Sequence, residues 1–453
     1  MIDQDFIVLL DAFRRMVRRN ARTNILKLIE NTHPAELAAL FRSFTDTERE
    51  TVFNLISDPT YNAEFLTELD GSILVDLVEG MPPKAIVEIL NEMAPDDQAD
   101  LLAQIPEDLG KEVLGLMSNS DSEDLEELMM YKPDTAGGIM VPLPFKMNER
   151  NTVQDAINAI REQKDVEMVF YIYVVDDNER LTGVISLRQL LMVSPKTVLQ
   201  NIMISKLVTV QPETDQEEVA RIISRYNFLA LPVVDRENKL LGIVTVDDII
   251  DVIREEATED FLQMAGVGKD REILLKTPIQ AVRMRFPWLF ATFIGGIIIS
   301  AIVVRFQHIL DKFVILAAFM PIVAGMGGNV GSQSSTIVVR GLATGRVNIQ
   351  QIFHVLLDQM KIGLILGVLY GVLLMLFSNI LYHSSANIMN IGAAIGIALC
   401  CELFIAASLG ALVPIMLQRL NIDPAVATGP MVSITLDITG ILIYFSIATA
   451  ILT

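Results

Sequence analysis

Cysteine is almost missing from this 453-residue chain: the two present, Cys400 and Cys401, are adjacent and lie in an apolar run. Neighbours of this kind cannot form a disulfide framework. Histidine is scarce too. His33, His308, His354 and His383 are scattered, and none falls in the H-E-x-x-H spacing of a helical zinc protease. No catalytic residue is therefore nominated, and no enzyme is expected. Basic residues number 35 against 56 acidic ones, for a formal charge of −21. So acidic a chain repels nucleic acid, which is excluded as a partner. The N-terminus, with Asp3 and Asp5 ahead of an arginine cluster, lacks the pattern of a cleaved signal.

Charge of either sign then vanishes over long stretches. After residue 285 the charges sum to +1, so the first 285 residues carry −22. A membrane-spanning helix takes about 20 apolar residues. Five segments qualify: 286–304, 313–339, 357–382, 388–418 and 429–453, the third and fourth divided by the polar stretch 383–387. Arg283 and Arg285 precede the first, Arg340 and Arg346 follow the second, and Arg419 follows the fourth; the opposite loops hold only Arg305 and Lys312. Basic loops stay in the cytoplasm. The expectation is a multi-pass protein of the cell (inner) membrane, in contact with lipid, with its N-terminus cytoplasmic and its C-terminus outside.

Two features ask for more than a packed bundle. Gly325-Met326-Gly327-Gly328-Asn329-Val330-Gly331-Ser332-Gln333-Ser334-Ser335, just after Pro321, is expected to loosen the second span. Irregular backbone at that depth is tolerated only where protein or a water-filled cavity covers it. The other feature is Asp437, with no basic residue at comparable depth in any expected segment. An intramembrane carboxylate costs roughly 2.5–3.5 kcal/mol on insertion scales, which marks it as functional. Gly429, Ser433, Asp437, Gly440 and Tyr444 recur at helical spacing as one small or polar stripe. Glu402 reads equally as a deep site or as a structural hydrogen-bonding group. Gly363, Gly367 and Gly371, four residues apart, suit close helix packing.

The acidic half has its own pattern. Tyr173-Val174-Val175-Asp176 through Leu181-Thr182-Gly183-Val184-Ile185-Ser186 recurs, 59 residues on, as Pro232-Val233-Val234-Asp235 through Leu240-Leu241-Gly242-Ile243-Val244-Thr245. Each copy reads helix, strand, turn, strand, helix, the leading helices being 153–163 and 216–226. Repeats of this length are units that pair to bury a shared face. They resemble a tandem pair of CBS domains. That resemblance implies an adenine-nucleotide site, ATP included, with Tyr171 and Arg188 as its candidate contacts. Upstream, Pro82-Pro83, Pro95 and Pro106 mark successive short helices, since proline suits a first helical turn. Downstream, residues 247–260 form a helix with carboxylates at nearly every turn. Asp248, Asp251 and Glu255 share one face, Glu256, Glu259 and Asp260 another. Such spacing repels, and a hard divalent cation held through carboxylates and water relieves it.

Taken together the chain resembles the MgtE family of magnesium channels and transporters. The residues that carry the resemblance are Asp134-Thr135-Ala136-Gly137-Gly138, the acidic linker, Gly327-Gly328-Asn329-Val330-Gly331-Ser332-Gln333-Ser334, Arg340-Gly341-Leu342-Ala343, and Asp423-Pro424-Ala425 leading to Gly429-Pro430 and Asp437. The resemblance implies a multidomain fold: a helical N domain (1–135), an α-helical superhelix; a tandem α+β CBS pair (136–200 and 201–253); an acidic linker or plug helix (254–282); and a five-helix α transmembrane pore domain (283–453). It implies a homodimer with a pore on its two-fold axis, lined by the second and fifth spans. Asp437 would face a hydrated Mg²⁺, with Gly328, Asn329 and Ser433 near it. The cytoplasmic Mg²⁺ sensor would be Asp215, Glu217, Asp248, Asp251, Glu256, Glu259 and Asp260, with Asp96, Asp97 and Asp100 as partners from the helical domain. High cytosolic Mg²⁺ would then close the pore. Gly429 and Asn227 depart from relatives that carry a side-chain oxygen and an aspartate there. The alternative is an ion-coupled Mg²⁺/Co²⁺ carrier with a nucleotide-sensing CBS pair and Glu402 as its relay.

Overall fold

The computed structural model describes residues 3–142, 145–162, 170–267, 277–344, 347, 352–381, 388–420, 422–425 and 429–453. Gln163, Arg346 and the polar stretch 383–387 lie outside them. The chain divides into two units, Met1–Ile253 and Arg254–Thr453.

Proline and short polar caps punctuate the first unit. Its described residues open with ten helices of 8 to 16 residues, from Asp3–Arg18 to Asn119–Leu128. Pro34, Pro59, Pro83 and Pro95 each stand in a first turn, where the missing N–H goes unused. Pro106 caps helix Glu107–Leu114. Thr45 and Glu48 close a reciprocal capping box on Asp46–Phe53. The helices Pro34–Phe41, Pro59–Thr67, Pro83–Leu90 and Glu107–Leu114 pack each on the next of the series. That alternate stacking winds a superhelix around Phe13, Phe41, Phe65, Leu90 and Val113, all fully buried.

The repeat follows. Strand β1 is Val141–Pro142, β2 Lys146–Asn148, β3 Tyr171–Val175, β4 Leu181–Ser186, β5 Ala230–Val234 and β6 Leu240–Thr245. They form two three-stranded sheets, β2-β3-β4 and β1-β6-β5. Tyr171 pairs with Ser186 and Ala230 with Thr245, and each hairpin slips register at the same place, Val174/Val175 and Val233/Val234. The 59-residue repeat is thus visible down to its irregularity. Strand β1 precedes the first copy yet adds to the sheet of the second, Val141 opposite Ile243. Asp134 to Gly138 stitches that crossing: the Ala136 and Gly137 N–H groups donate to Thr214 O and Pro212 O, at 2.7 and 2.9 Å. Helix Val246–Met264 leaves the second copy and carries the chain across the division between the units.

The second unit holds five helices long and apolar enough to cross a membrane, as the sequence leads one to expect. They are Pro278–Arg305, Ile315–Ala343, Ile352–Leu381, Ile388–Arg419 and Pro430–Leu452, hereafter the first to fifth spans. A short helix, Gln307–Lys312, joins the first two. The third span starts five residues earlier than expected, and within it Asp358 and Lys361 pair at 2.9 Å.

Close approach is what glycine supplies here. Gly363, Gly367 and Gly371 of the third span lie against the backbone of Leu403, Cys400 and Gly396 in the fourth. The expected packing face is therefore used. The expected loosening of the second span is not found. Ile315–Ala343 is one unbroken helix through residues 325–335 and past Pro321. Gly325 faces open space, but Gly327, Gly328 and Gly331 face neighbours: Gly331 meets the backbone of Gly410 and the side chain of Leu436. A helix keeps its backbone bonds internal, so small residues at depth need no cavity when another helix fills the space. The hydroxyl of Tyr444, fully buried, donates to Leu316 O at 2.8 Å and ties the fifth span to the second.

Candidate metal sites in the membrane and cytoplasmic units

Asp437 occupies the second turn of the fifth span and is half-buried. Across from it is Gly328: a Cβ built there would lie 3.6 Å from Asp437 Oδ1. Glycine thus lets the second span pass directly over the carboxylate. No lysine, arginine or histidine pairs with Asp437 among the described residues. Ser433 stands one turn earlier on the same helix, half-buried. Asn329 lies one residue beyond Gly328 and is exposed, on a different side of its helix from the carboxylate. Within one chain, then, Asp437 and Gly328 come together, Ser433 flanks them, and Asn329 does not join. Gly328 also lies inside a regular helix. Its carbonyl is engaged along the axis, so its main offering is space.

The sequence understated Glu402. It is 2 % exposed, and neither carboxylate oxygen has a hydrogen-bond partner among the described residues. Gly327 and Gly440 enclose it, and a Cβ on either would overlap its oxygen. The signal available was the isolated acid in an apolar run; what hid the reading was that its neighbours come from two other helices.

One group of acids lies in the first unit. Asp96, in the first turn of Pro95–Gln104, is 8 % exposed. Burial, then Asp97 and Asp100 beside it, push its carboxyl up to about 7. Asp248, in the first turn of the linker helix, rises to about 7 as well, through burial and then Asp96. The Thr245 hydroxyl donates to Asp248 and partly offsets this. Of the three acids expected from the helical domain, Asp96 is the one that acts on the linker's Asp248. Asp251, one turn on, is exposed. Asp215 spends its carboxylate as a helix cap, accepting from the Glu217 N–H at 2.9 Å. Asn227 caps the other end of that helix in the left-handed conformation, φ 54°.

A second acidic group lies in the other unit. Asp260 rises to about 6, through burial, then Asp423 and Glu256, with Arg340 opposing. Glu259 accepts from Gln263 at 2.8 Å. Asp423, in the turn between the fourth and fifth spans and part of the Asp423-Pro424-Ala425 motif, is thus a candidate beside Asp260 that the motif alone did not single out. Asp423 Oδ1 also accepts from the Ala425 N–H at 2.8 Å. The end of the linker helix is seated here too. Gly429 leaves no room for a Cβ against the Met264 carbonyl, and Gly266, at φ 69°, abuts Pro430. Glycine at 429 thus has a steric reason in this chain.

No group of three or more His, Cys, Asp or Glu side chains converges on one point among the described residues. The acids come in facing pairs. Paired carboxylates suit a hard cation that keeps much of its water, as Mg²⁺ does. Of the nucleotide candidates, Tyr171 is half-buried in an apolar cluster with Tyr173, Val234 and Ile243, whereas Arg188 is exposed. No hydrogen bond joins the two.

Comparison with known proteins gives this geometry a family. Residues 320–447 match the family described as "Divalent cation transporter", 32–134 the "MgtE intracellular N domain", and 136–196 and 199–255 the "CBS domain". The magnesium transporter MgtE of Thermus thermophilus is 35 % identical over 94 % of both chains, and that of Bacillus subtilis 34 % over 93 % of both. A crystal structure of the cytosolic domain of the Mg²⁺ channel MgtE in complex with ATP superposes with TM-score 0.51 at 35 % identity, covering 54 % of this chain and 99 % of that one. With relatives this similar along nearly its whole length, the chain belongs to the MgtE family of magnesium transporters.

Proposed function

We propose that two copies of this chain form a Mg²⁺ channel of the cell membrane that imports the ion and is closed by it from the cytoplasmic side. The observation that carries the proposal is Asp437, an intramembrane carboxylate without a basic partner, set against Gly328 of the second span. A hydrated dication compensates such a charge without being stripped of water. With the N-terminus cytoplasmic, the acidic clusters face the cytosol and read its Mg²⁺.

The clusters fit that role. Burial first, then Asp97 and Asp100 beside Asp96 and Asp96 beside Asp248, leave Asp96 and Asp248 holding protons near neutrality. A bound dication would replace those protons and draw the helical domain to the linker, with Asp251 alongside. Asp260, Glu256, Glu259 and Asp423 would hold a second ion, fixing the linker against the turn that enters the fifth span. Without the ions, like charges push these elements apart. Sensor and pore are then coupled through the linker helix, whose two states both sites bias. ATP on the CBS pair, with Tyr171 and Arg188 as contacts, is supported by the ATP complex of the relative's cytosolic domain.

The test is Mg²⁺ entry into liposomes bearing purified protein, wild type beside Asp437→Ala, at low and high Mg²⁺ on the cytoplasmic face. Wild-type flux that cytoplasmic Mg²⁺ suppresses, and that the variant lacks, is the expected result. Undiminished flux in a well-assembled variant refutes the pore site.

A further inference from the structure

Glu402 is the most deeply buried acid among the described residues. It projects from the fourth span into the seam between the second and fifth, 2 % exposed, with both oxygens unpartnered among the described residues. Its enclosure is specific. Gly327 and Gly440 both face it, and a methyl group on either would overlap the carboxyl. These glycines are neighbours of the pore pair. Gly327 precedes Gly328, which covers Asp437, and Gly440 lies one turn after Asp437 on the fifth span. The two acids are close enough to interact electrostatically. A structural carboxylate would be expected to accept hydrogen bonds in so tight a seam; this one accepts none.

We propose that Glu402 determines the preference of the pore for divalent over monovalent cations, acting on the ion at Asp437 through its field. The proposal rests on the channel reading above. A dication at Asp437 favours the ionised form of Glu402, and that charge, sealed from solvent, is not screened by salt as a surface charge is. Its attraction for a cation scales with the ion's charge, so a dication gains twice what Na⁺ or K⁺ gains. The passing dication in turn compensates a charge that no protein group neutralises. Glycine at 327 and 440 is what allows the carboxyl to approach the path without entering it. Glu402 is in this sense a specificity-determining residue, while the ion's own contact is Asp437.

The experiment compares full-length wild type, Glu402→Gln, Glu402→Met and Glu402→Asp in liposomes, with assembly checked by size exclusion. Mg²⁺ flux is measured against Mg²⁺ concentration, with and without excess Na⁺. Glu402→Gln keeps the shape and removes the charge. It should raise the half-saturating Mg²⁺ concentration about tenfold, with maximal flux less affected, and let Na⁺ compete. Glu402→Asp should restore most of the wild-type affinity. Glu402→Gln with half-saturation and Na⁺ competition like wild type overturns the proposal and leaves the side chain as a packing wedge. So does a case where both neutral variants fail to assemble while Glu402→Asp assembles, because the carboxylate is then required by the fold. Absence of flux in wild type, or its survival in Asp437→Ala, would instead strike the channel reading itself.

Discussion

Carboxylates in the two halves of this molecule are handled in opposite ways. In the first unit acid is set against acid: Asp97 and Asp100 act on Asp96, Asp96 acts on Asp248, and burial above all, with these charges, lifts Asp96 and Asp248 to about 7. Within the membrane spans acid is set against glycine: Asp437 meets Gly328, and Glu402 meets Gly327 and Gly440. The difference follows from solvent. Near water, mutual repulsion among several acids is bearable and makes a device that a dication can switch. Within the bilayer even one charge is costly, so the fold admits two and surrounds them with backbone. The first arrangement suits sensing over a range of concentrations. The second suits passage, where the ion must be attracted and yet leave.

Several experiments would break or sharpen that contrast. The largest effect belongs to Asp437→Ala: losing an unshared buried charge should lower flux about 100-fold or more, in line with a loss of 2–5 kcal/mol. Hydrogen exchange around Asp96 should still slow with Mg²⁺, separating pore from sensor. Next, Gly410→Val forces a side chain into the backbone of Gly331. Overpacking of this kind should cost about 1–3 kcal/mol, read as a lower melting temperature of the membrane unit in detergent. Third, Asp248→Asn removes the acid shared between linker and helical domain. Without Mg²⁺ it should stabilise the cytoplasmic unit by relieving repulsion, and half-closure of the channel should need several times more Mg²⁺.

The smallest effect is one of pH. Asp96 and Asp248 keep protons up to about 7 when folded, but lose them near 4 when unfolded. Between those values the folded chain binds more protons, so Mg²⁺-free stability falls as pH rises. Exchange protection of helix Pro95–Gln104 should weaken steadily from about pH 5 to about pH 8. Saturating Mg²⁺ should flatten the trend, since protons and cation compete for the same oxygens. A profile that ignores pH would mean that the acids are better solvated than their burial implies.

Much of this was legible in the residues. Five long apolar runs gave five spans because lipid leaves a helix few alternatives. The 59-residue repeat gave two sheets whose hairpins slip at matching positions. Prolines at 83 and 95 marked helix starts through local sterics alone. Asp437 stood out because a charge in an apolar run is legible at any distance from its partners. Residues 325–335 misled for the converse reason: glycine at depth signals either loose backbone or tight packing, and the choice lies with the facing helix.

The sequence by itself determined which segments are helix, strand or membrane span, and which acids are anomalous, since these depend on periodicity and on the local cost of burying charge. Only the tertiary structure decided what those acids face. That Asp96 meets Asp248, that Asp423 meets Asp260, and that Glu402 is closed in by Gly327 and Gly440 depend on contacts between residues far apart in the chain. Such contacts are set by how whole helices pack, which no local pattern encodes.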